Sequence, residues 1–322
     1  MSIIRRPNGG MIMTNLAART MPALYALAGI RASWLVFLMT YMTWFGDGVV
    51  FAAVGITAYW CWNKRAGEYM LAVGLAGTAV GNCLKNVFQV PRPWLLDEEF
   101  RIVETARSRA NGYSFPSGHT QMGVGIYGSL AVKTKNRTVR ILAILLCFII
   151  PFSRMLLGVH TPLDIGVAAL ISVVLVFVLR NSFTGELHSE RRAYVTLLIV
   201  SFISLFFAMK RGSSENATAE ELMNEWDGIK AICQSIAGIG ALWLGFEVDN
   251  RYTHWRTTAR LPAQLLKCAL GLALVGGIRH LYHFLPEGNV PLLLLIYFIA
   301  MAFGTAVWPM TFSWFEKLGQ KG

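Results

Sequence analysis

Between residues 85 and 164 the chain gathers three cations, two histidines and one carboxylate at spacings that suit the binding of an anion. Lys85 lies near the end of an apolar run. Arg92 follows seven residues later, between Pro91 and Pro93, which stop the helix and bring two cations to one helix end. A charged lysine inside an apolar span is costly and points to function, although its amine could also snorkel to the interface. Tyr113-Ser114-Phe115-Pro116-Ser117-Gly118-His119 stands directly before the next apolar run. A helix starting there offers free backbone amides, approached closely at Gly118, with the Ser117 hydroxyl as a further donor. Taken alone, the same residues also read as an ordinary helix cap with an exposed histidine.

The third piece is Ser153-Arg154, then His160, then Asp164. Thr161 reads as a helix N-cap, Pro162 as the first helical residue and Asp164 as the third. Asp164 could be only a capping carboxylate. It is also placed to accept a proton from one nitrogen of His160, leaving the other as a nucleophile.

These pieces must be held by membrane helices. The 322 residues are 55% hydrophobic and only 15% charged, with a mean hydropathy of +0.49; a soluble domain is not expected. About ten apolar stretches are long enough to cross a bilayer, over 20–44, 47–63, 67–90, 119–134, 138–157, 162–180, 192–210, 229–246, 260–282 and 290–313. Gly29, Arg31 and Ser33 interrupt the first, part of which could lie flat in the interface. The fold class is therefore an all-α polytopic transmembrane bundle. Arg5 and Arg6 are followed by Pro7, Gly9 and Gly10 rather than a compact apolar core, so no cleaved signal peptide is expected. Cys61, Cys83, Cys147, Cys233 and Cys268 are scattered singly and read as packing residues.

A net charge of +11 does not mark a nucleic-acid binder, because the basic residues alternate between connections instead of forming one stripe. With both termini inside, Lys64, Arg65, Lys133, Lys135, Arg137, Arg140, Arg180, Arg191, Arg192, Arg251, Arg256 and Arg260 fall on the cytoplasmic side. The stretch from Lys210 to Asp227 becomes an acidic outer loop. The three chemical pieces then all lie at the outer face, in a topology chosen from loop charge alone.

Lys85-x6-Arg92-Pro93, Pro116-Ser117-Gly118-His119 and Ser153-Arg154-x5-His160-x3-Asp164 resemble the three signatures of the type 2 phosphatidic acid phosphatase family, with no signature position departing. Soluble bacterial acid phosphatases, glucose-6-phosphatase and vanadium-dependent haloperoxidases belong to the same family. The resemblance implies a six-helix phosphatase core over 1–185, and leaves about four further helices over 186–322 without a role. It implies that Lys85, Arg92 and Arg154, with the amides and hydroxyl around Ser117 and Gly118, hold a phosphoryl group without metal or cofactor. His160, oriented by Asp164, would form a phosphohistidine, while His119 protonates the leaving alkoxide and later activates water. Asp97, Glu98 and Glu99 read as a solvated run rather than a metal site.

The expected substrate is a lipid phosphate or diphosphate, entering from the surrounding membrane lipids at headgroup level, with the 94–115 loop and its Arg101, Arg107 and Arg109 selecting the headgroup. The expected location is a bacterial plasma membrane. A phosphotransferase, a sugar-phosphate phosphatase and, from a different class, a transporter are the alternatives. Arg279, His280 and His283 could reach the site or anchor the chain at the interface.

Overall fold

The computed structural model describes residues 8–211, 217–280 and 289–318, and among them the regular structure is helical throughout. Four short helices lead the chain: α1 (Asn8–Arg19), α2 (Met21–Gly29), α3 (Ser33–Met42) and α4 (Gly48–Thr57). The long α5 (Lys64–Phe88) and the single turn α6 (Pro93–Leu96) come next, then α7 (Gly118–Lys133), α8 (Arg137–Leu156) and α9 (Pro162–Leu179). Beyond them run α10 (Leu187–Arg211), α11 (Ala219–Val248), α12 (Leu261–His280), α13 (Val290–Ala302) and the short α14 (Phe312–Lys317).

Helix boundaries follow local chemistry. Asn63, Ser117, Asn136 and Thr161 each cap the helix that follows, their side chains accepting from backbone amides inside the first turn. Gln89 ends α5 in the left-handed conformation at φ 48°, and Pro93 opens α6.

Among the described residues seven stretches are long and apolar enough to cross a membrane, or eight if a bent pair counts as one span; ten were expected. The difference lies at the start of the chain and at the expected fourth span. Arg31 breaks the first expected span, donating to the carbonyls of Leu156 at 2.7 Å and Arg101 at 2.6 Å. The segments Ser33–Gly46 and Gly48–Trp62 meet at 55°, where the Asp47 side chain caps α4. The expected fourth span is α7, only 16 residues long, and it is enclosed by α5, α8 and α9. The four additional C-terminal spans are present as α10 to α13. The acidic outer loop is a correction: α11 starts at Ala219, so Glu220, Glu221, Glu225 and Asp227 are helical residues, with Thr218 and Glu221 forming a reciprocal cap. Glu215, Arg5 and Arg6 lie outside the described residues.

α5 is the axis of the molecule. Its 25 residues, about 37 Å long, are buried along most of their length. α4, α7 and α9 cover one side, and α10 and α11 the other. Gly67 makes the tightest approach to another backbone: a Cβ there would lie 2.2 Å from the Tyr59 backbone. One continuous apolar cluster joins Tyr59, Trp60 and Ile126 to Tyr194, Phe246 and Trp308. The C-terminal helices thus share a core with the rest of the chain. Large apolar side chains such as Phe148 (71% exposed) and Val178 (67%) point outward from the bundle, as lipid contact requires. The five cysteines are free, but Cys61 and Cys268, remote in sequence, bring their Sγ atoms to 3.1 Å.

Candidate active site

The C-terminal end of α5, the N-terminus of α7, the C-terminal end of α8 and the N-terminus of α9 meet at one end of the bundle. Lys64, Lys133, Arg137 and Arg180 mark the opposite ends of the same four helices. Between the four site ends and α11 lies a cavity of about 280 Å³, with Lys85, Arg92, Gly118, His119 and His160 on its wall.

Arg92 is buried and held by backbone carbonyls. Nε donates to Gly112 O at 2.9 Å, Nη2 to Asn111 O at 2.5 Å and Nη1 to Val159 O at 3.1 Å. The same Nη1 stands 2.9 Å from His160 Nε2. A guanidinium only donates, so this contact calls for an unprotonated Nε2 and a proton on Nδ1, which the same Nη1 approaches to 3.5 Å. Nδ1 faces Asp164 Oδ2 at 3.5 Å. Burial, and then the charges of Arg92, Arg154, Lys85 and His119, push the His160 imidazolium well below its ordinary range. The residue therefore presents a neutral ring with a lone pair on Nε2.

Asp164 serves both readings that the sequence left open. Its Oδ2 accepts from the Thr161 amide at 2.7 Å as part of a capping box, and from Ser114 Oγ at 2.6 Å. Oδ1 is buried without a hydrogen-bond partner. Ser114 was missed at the sequence level, although it adjoins the Pro116–His119 stretch. Lys85 Nζ donates to the carbonyl of its neighbour Tyr113, so one short segment positions both the lysine and the aspartate.

Two of the expected phosphate contacts stand behind the cavity wall. Ser117 is fully buried; its hydroxyl accepts from Thr120 N at 3.4 Å and its amide donates to Asp164 O at 3.1 Å. The amides turned toward an anion therefore begin at Gly118. Arg154 is also fully buried, with Nη1 on Thr43 Oγ1 at 3.0 Å and Nη2 on Arg109 O at 3.4 Å, while Nε has no partner. Thr43 gave no signal in the sequence. His119 Nε2 is buried and unpartnered at the cavity edge.

Of the loop arginines, only Arg109 lines the cavity; it lies 3.5 Å from Asp47 and stacks over Trp44 at 4.6 Å. Arg107 packs on Trp94, and Arg101 lends its carbonyl to Arg31. Arg279 and His280 end α12 and do not line the cavity; His283 lies outside the described residues. Among the described residues no group of three or more His, Cys, Asp or Glu side chains is placed to hold a metal ion. The unforeseen wall is α11, which brings Asn224, Asp227, Gly228, Lys230 and Gln234 to the cavity.

Fold and site define an all-helical integral membrane protein with a cation-rich pocket holding two histidines. A model of the PAP2 superfamily matches residues 65–187, and one described as PAP2 superfamily phosphatase, transmembrane extension, matches residues 233–321, so the chain belongs to this superfamily. It is 26% identical over 208 residues to a probable sphingosine-1-phosphate phosphatase of Dictyostelium discoideum, covering 59% of this chain and 50% of that protein. It is also 26% identical over 144 residues to undecaprenyl-diphosphatase BcrC of Bacillus subtilis (strain 168), covering 44% of this chain and 70% of the relative. The chain thus spans about half the length of the Dictyostelium relative. The crystal structure of Aquifex aeolicus LpxE aligns with a TM-score of 0.42 and 23% identity, over 49% of this chain and 93% of that one.

Proposed function

We propose that the protein is a lipid phosphate phosphohydrolase that works through a phosphohistidine on His160. The observation that carries this reading is the Arg92–His160–Asp164 line: a neutral imidazole with Nε2 turned to a cation and Nδ1 turned to a carboxylate. A phosphoryl group entering the cavity takes the place of Nε2 as the partner of Arg92. Lys85, Arg92 and the amide at Gly118 hold its equatorial oxygens, with Arg154 adding charge from behind and Ser117 fixing the helix start. Fixed cations and amides of this kind supply the charge stabilisation that phosphoryl transfer demands.

The His160 Nε2 lone pair forms the N–P bond as the bond from phosphorus to the substrate alkoxide breaks, and His119 gives a proton to the departing oxygen. Water then attacks phosphorus, His119 takes its proton, and the P–N bond breaks to release phosphate. Asp164 holds the Nδ1 proton and balances the positive ring in the intermediate.

On this reading residues 1–185 are the catalytic core and 186–322 an added helical unit. The site faces outward and both termini inward, which is supported by the basic helix ends opposite the cavity. The similarity to relatives described as acting on sphingosine-1-phosphate and undecaprenyl diphosphate supports a lipid substrate. The test is free phosphate release by the detergent-purified protein across a panel of lipid mono- and diphosphates. Release from none of them, or quantitative transfer to an acceptor other than water, would replace hydrolysis with another reading.

A further inference from the structure

The cavity does not end at the phosphate cradle. Thr78, Asn82 and Lys85 line it from successive turns of α5, and seven residues separate Thr78 from Lys85, about 10 Å of helix. α11 runs antiparallel beside them. The Glu225 carbonyl accepts from Asn86 Nδ2 at 3.1 Å, and farther in Gly238 packs on Leu75. This pairing puts Asn224 at the mouth and Gln234 near the depth of Thr78. Gly228 makes the closeness possible, since a Cβ there would meet Asn86 Oδ1 at 2.2 Å. His119 and Met122 on α7 face the same space. The cavity thus passes the histidine assigned to protonate the leaving oxygen.

The lining of this extension selects against two substrate classes. The Thr78 hydroxyl already donates to Gly74 O at 2.9 Å and Asn82 Nδ2 to Thr78 O at 2.9 Å, but an acyl chain placed there would strip water from Asn82 Oδ1 and the Gln234 amide and return no hydrogen bond. A second phosphate would need added cations, yet Asp227 and Lys230 together contribute no net charge, and the polar groups of the deep end are amides and a hydroxyl, beside the apolar Met122 and Ala231. Hydroxyl groups match such a wall, because each amide can donate and accept. We propose that α11 is the specificity wall of the site, with Gln234 and Asn224 as the determining residues. The group it recognises is a hydroxyl-bearing polyol or sugar moiety next to the leaving oxygen of a lipid phosphomonoester. Asn224 lies between the two segments matched by the superfamily models, and Gln234 is the second residue of the later one.

The inference rests on the phosphohydrolase reading. The experiment measures phosphate release from dodecyl β-glucoside 6-phosphate and dodecyl phosphate by wild type, Gln234→Leu, Asn224→Leu and His160→Ala. Wild type is expected to prefer the first substrate. The ratio of the two kcat/KM values is expected to fall about tenfold in Gln234→Leu, as loss of a hydrogen bond to a substrate hydroxyl allows. Asn224→Leu gives the same direction if Gln234→Leu does not fold. A ratio unchanged within twofold in the folded variants overturns the specificity wall. Release from neither substrate by wild type, or undiminished release by His160→Ala, instead overturns the reading beneath it.

Discussion

Arg92 Nη1 lies 2.9 Å from His160 Nε2 while three backbone carbonyls, one of them on the same Nη1, fix the guanidinium. The cation is therefore anchored independently of the histidine and keeps its position when a phosphoryl group comes between them. Lysine lacks the planar fork that reaches Gly112, Asn111 and Val159 together. Arg92→Lys is expected to lower kcat/KM by about 100-fold or more, the scale of losing one fixed donor to a developing anion. Steady-state kinetics with an insertion control checks this, and a loss under threefold would show that Arg92 does not hold the reacting group.

Ser114 is the least obvious member of the site. Its hydroxyl gives the buried Asp164 one of two short hydrogen bonds, and removing it leaves a carboxylate oxygen poorly satisfied. Ser114→Ala is expected to lower kcat more than it raises KM, and to cost about 1–3 kcal/mol of stability. Thermal unfolding in detergent and a kcat against KM comparison measure both effects. An unchanged kcat would reduce Ser114 to a packing residue.

The ionisation of His160 has a definite sign. Its imidazolium is held well below the ordinary value near 6.5, so the free enzyme presents the neutral ring above that depressed value and loses its nucleophile only as the pH falls through it. NMR of protein with 15N-labelled histidine, assigned with His160→Ala, is expected to show a neutral His160 ring protonated on Nδ1 from pH 6.5 to 8. A protonation midpoint at or above 6.5 would contradict this.

Orientation is open to a direct assay. Glu104 is exposed near the site, and Arg137 is exposed at the opposite end. With the native cysteines replaced, Glu104→Cys is expected to react with an impermeant maleimide added outside intact cells, and Arg137→Cys only after permeabilisation. The reverse pattern would place the cavity in the cytoplasm.

Much of the site is legible in the amino-acid sequence itself. The chemical residues stand in three short motifs, and α10 to α13 announce themselves as long apolar runs. Other features depend on contacts that spacing does not encode. Arg31 breaks the first span because carbonyls of remote residues await it, and Thr43 becomes a partner of Arg154 only when α3 reaches α8. Ser117 reads as a phosphate donor, yet Asp164 O claims its amide. The α11 wall leaves one trace, since Asn224, Asp227, Lys230 and Gln234 recur at helical spacing at the start of an apolar stretch. Nothing local, however, says that this face turns toward His119.

The central claim is the covalent bond to His160. Rapid quenching of the purified protein with 32P-labelled lipid phosphate, followed by base-stable peptide mapping, is expected to recover acid-labile label on His160 in wild type and none in His160→Ala, which also releases no phosphate. Label on another residue, or continued turnover by His160→Ala, would contradict it.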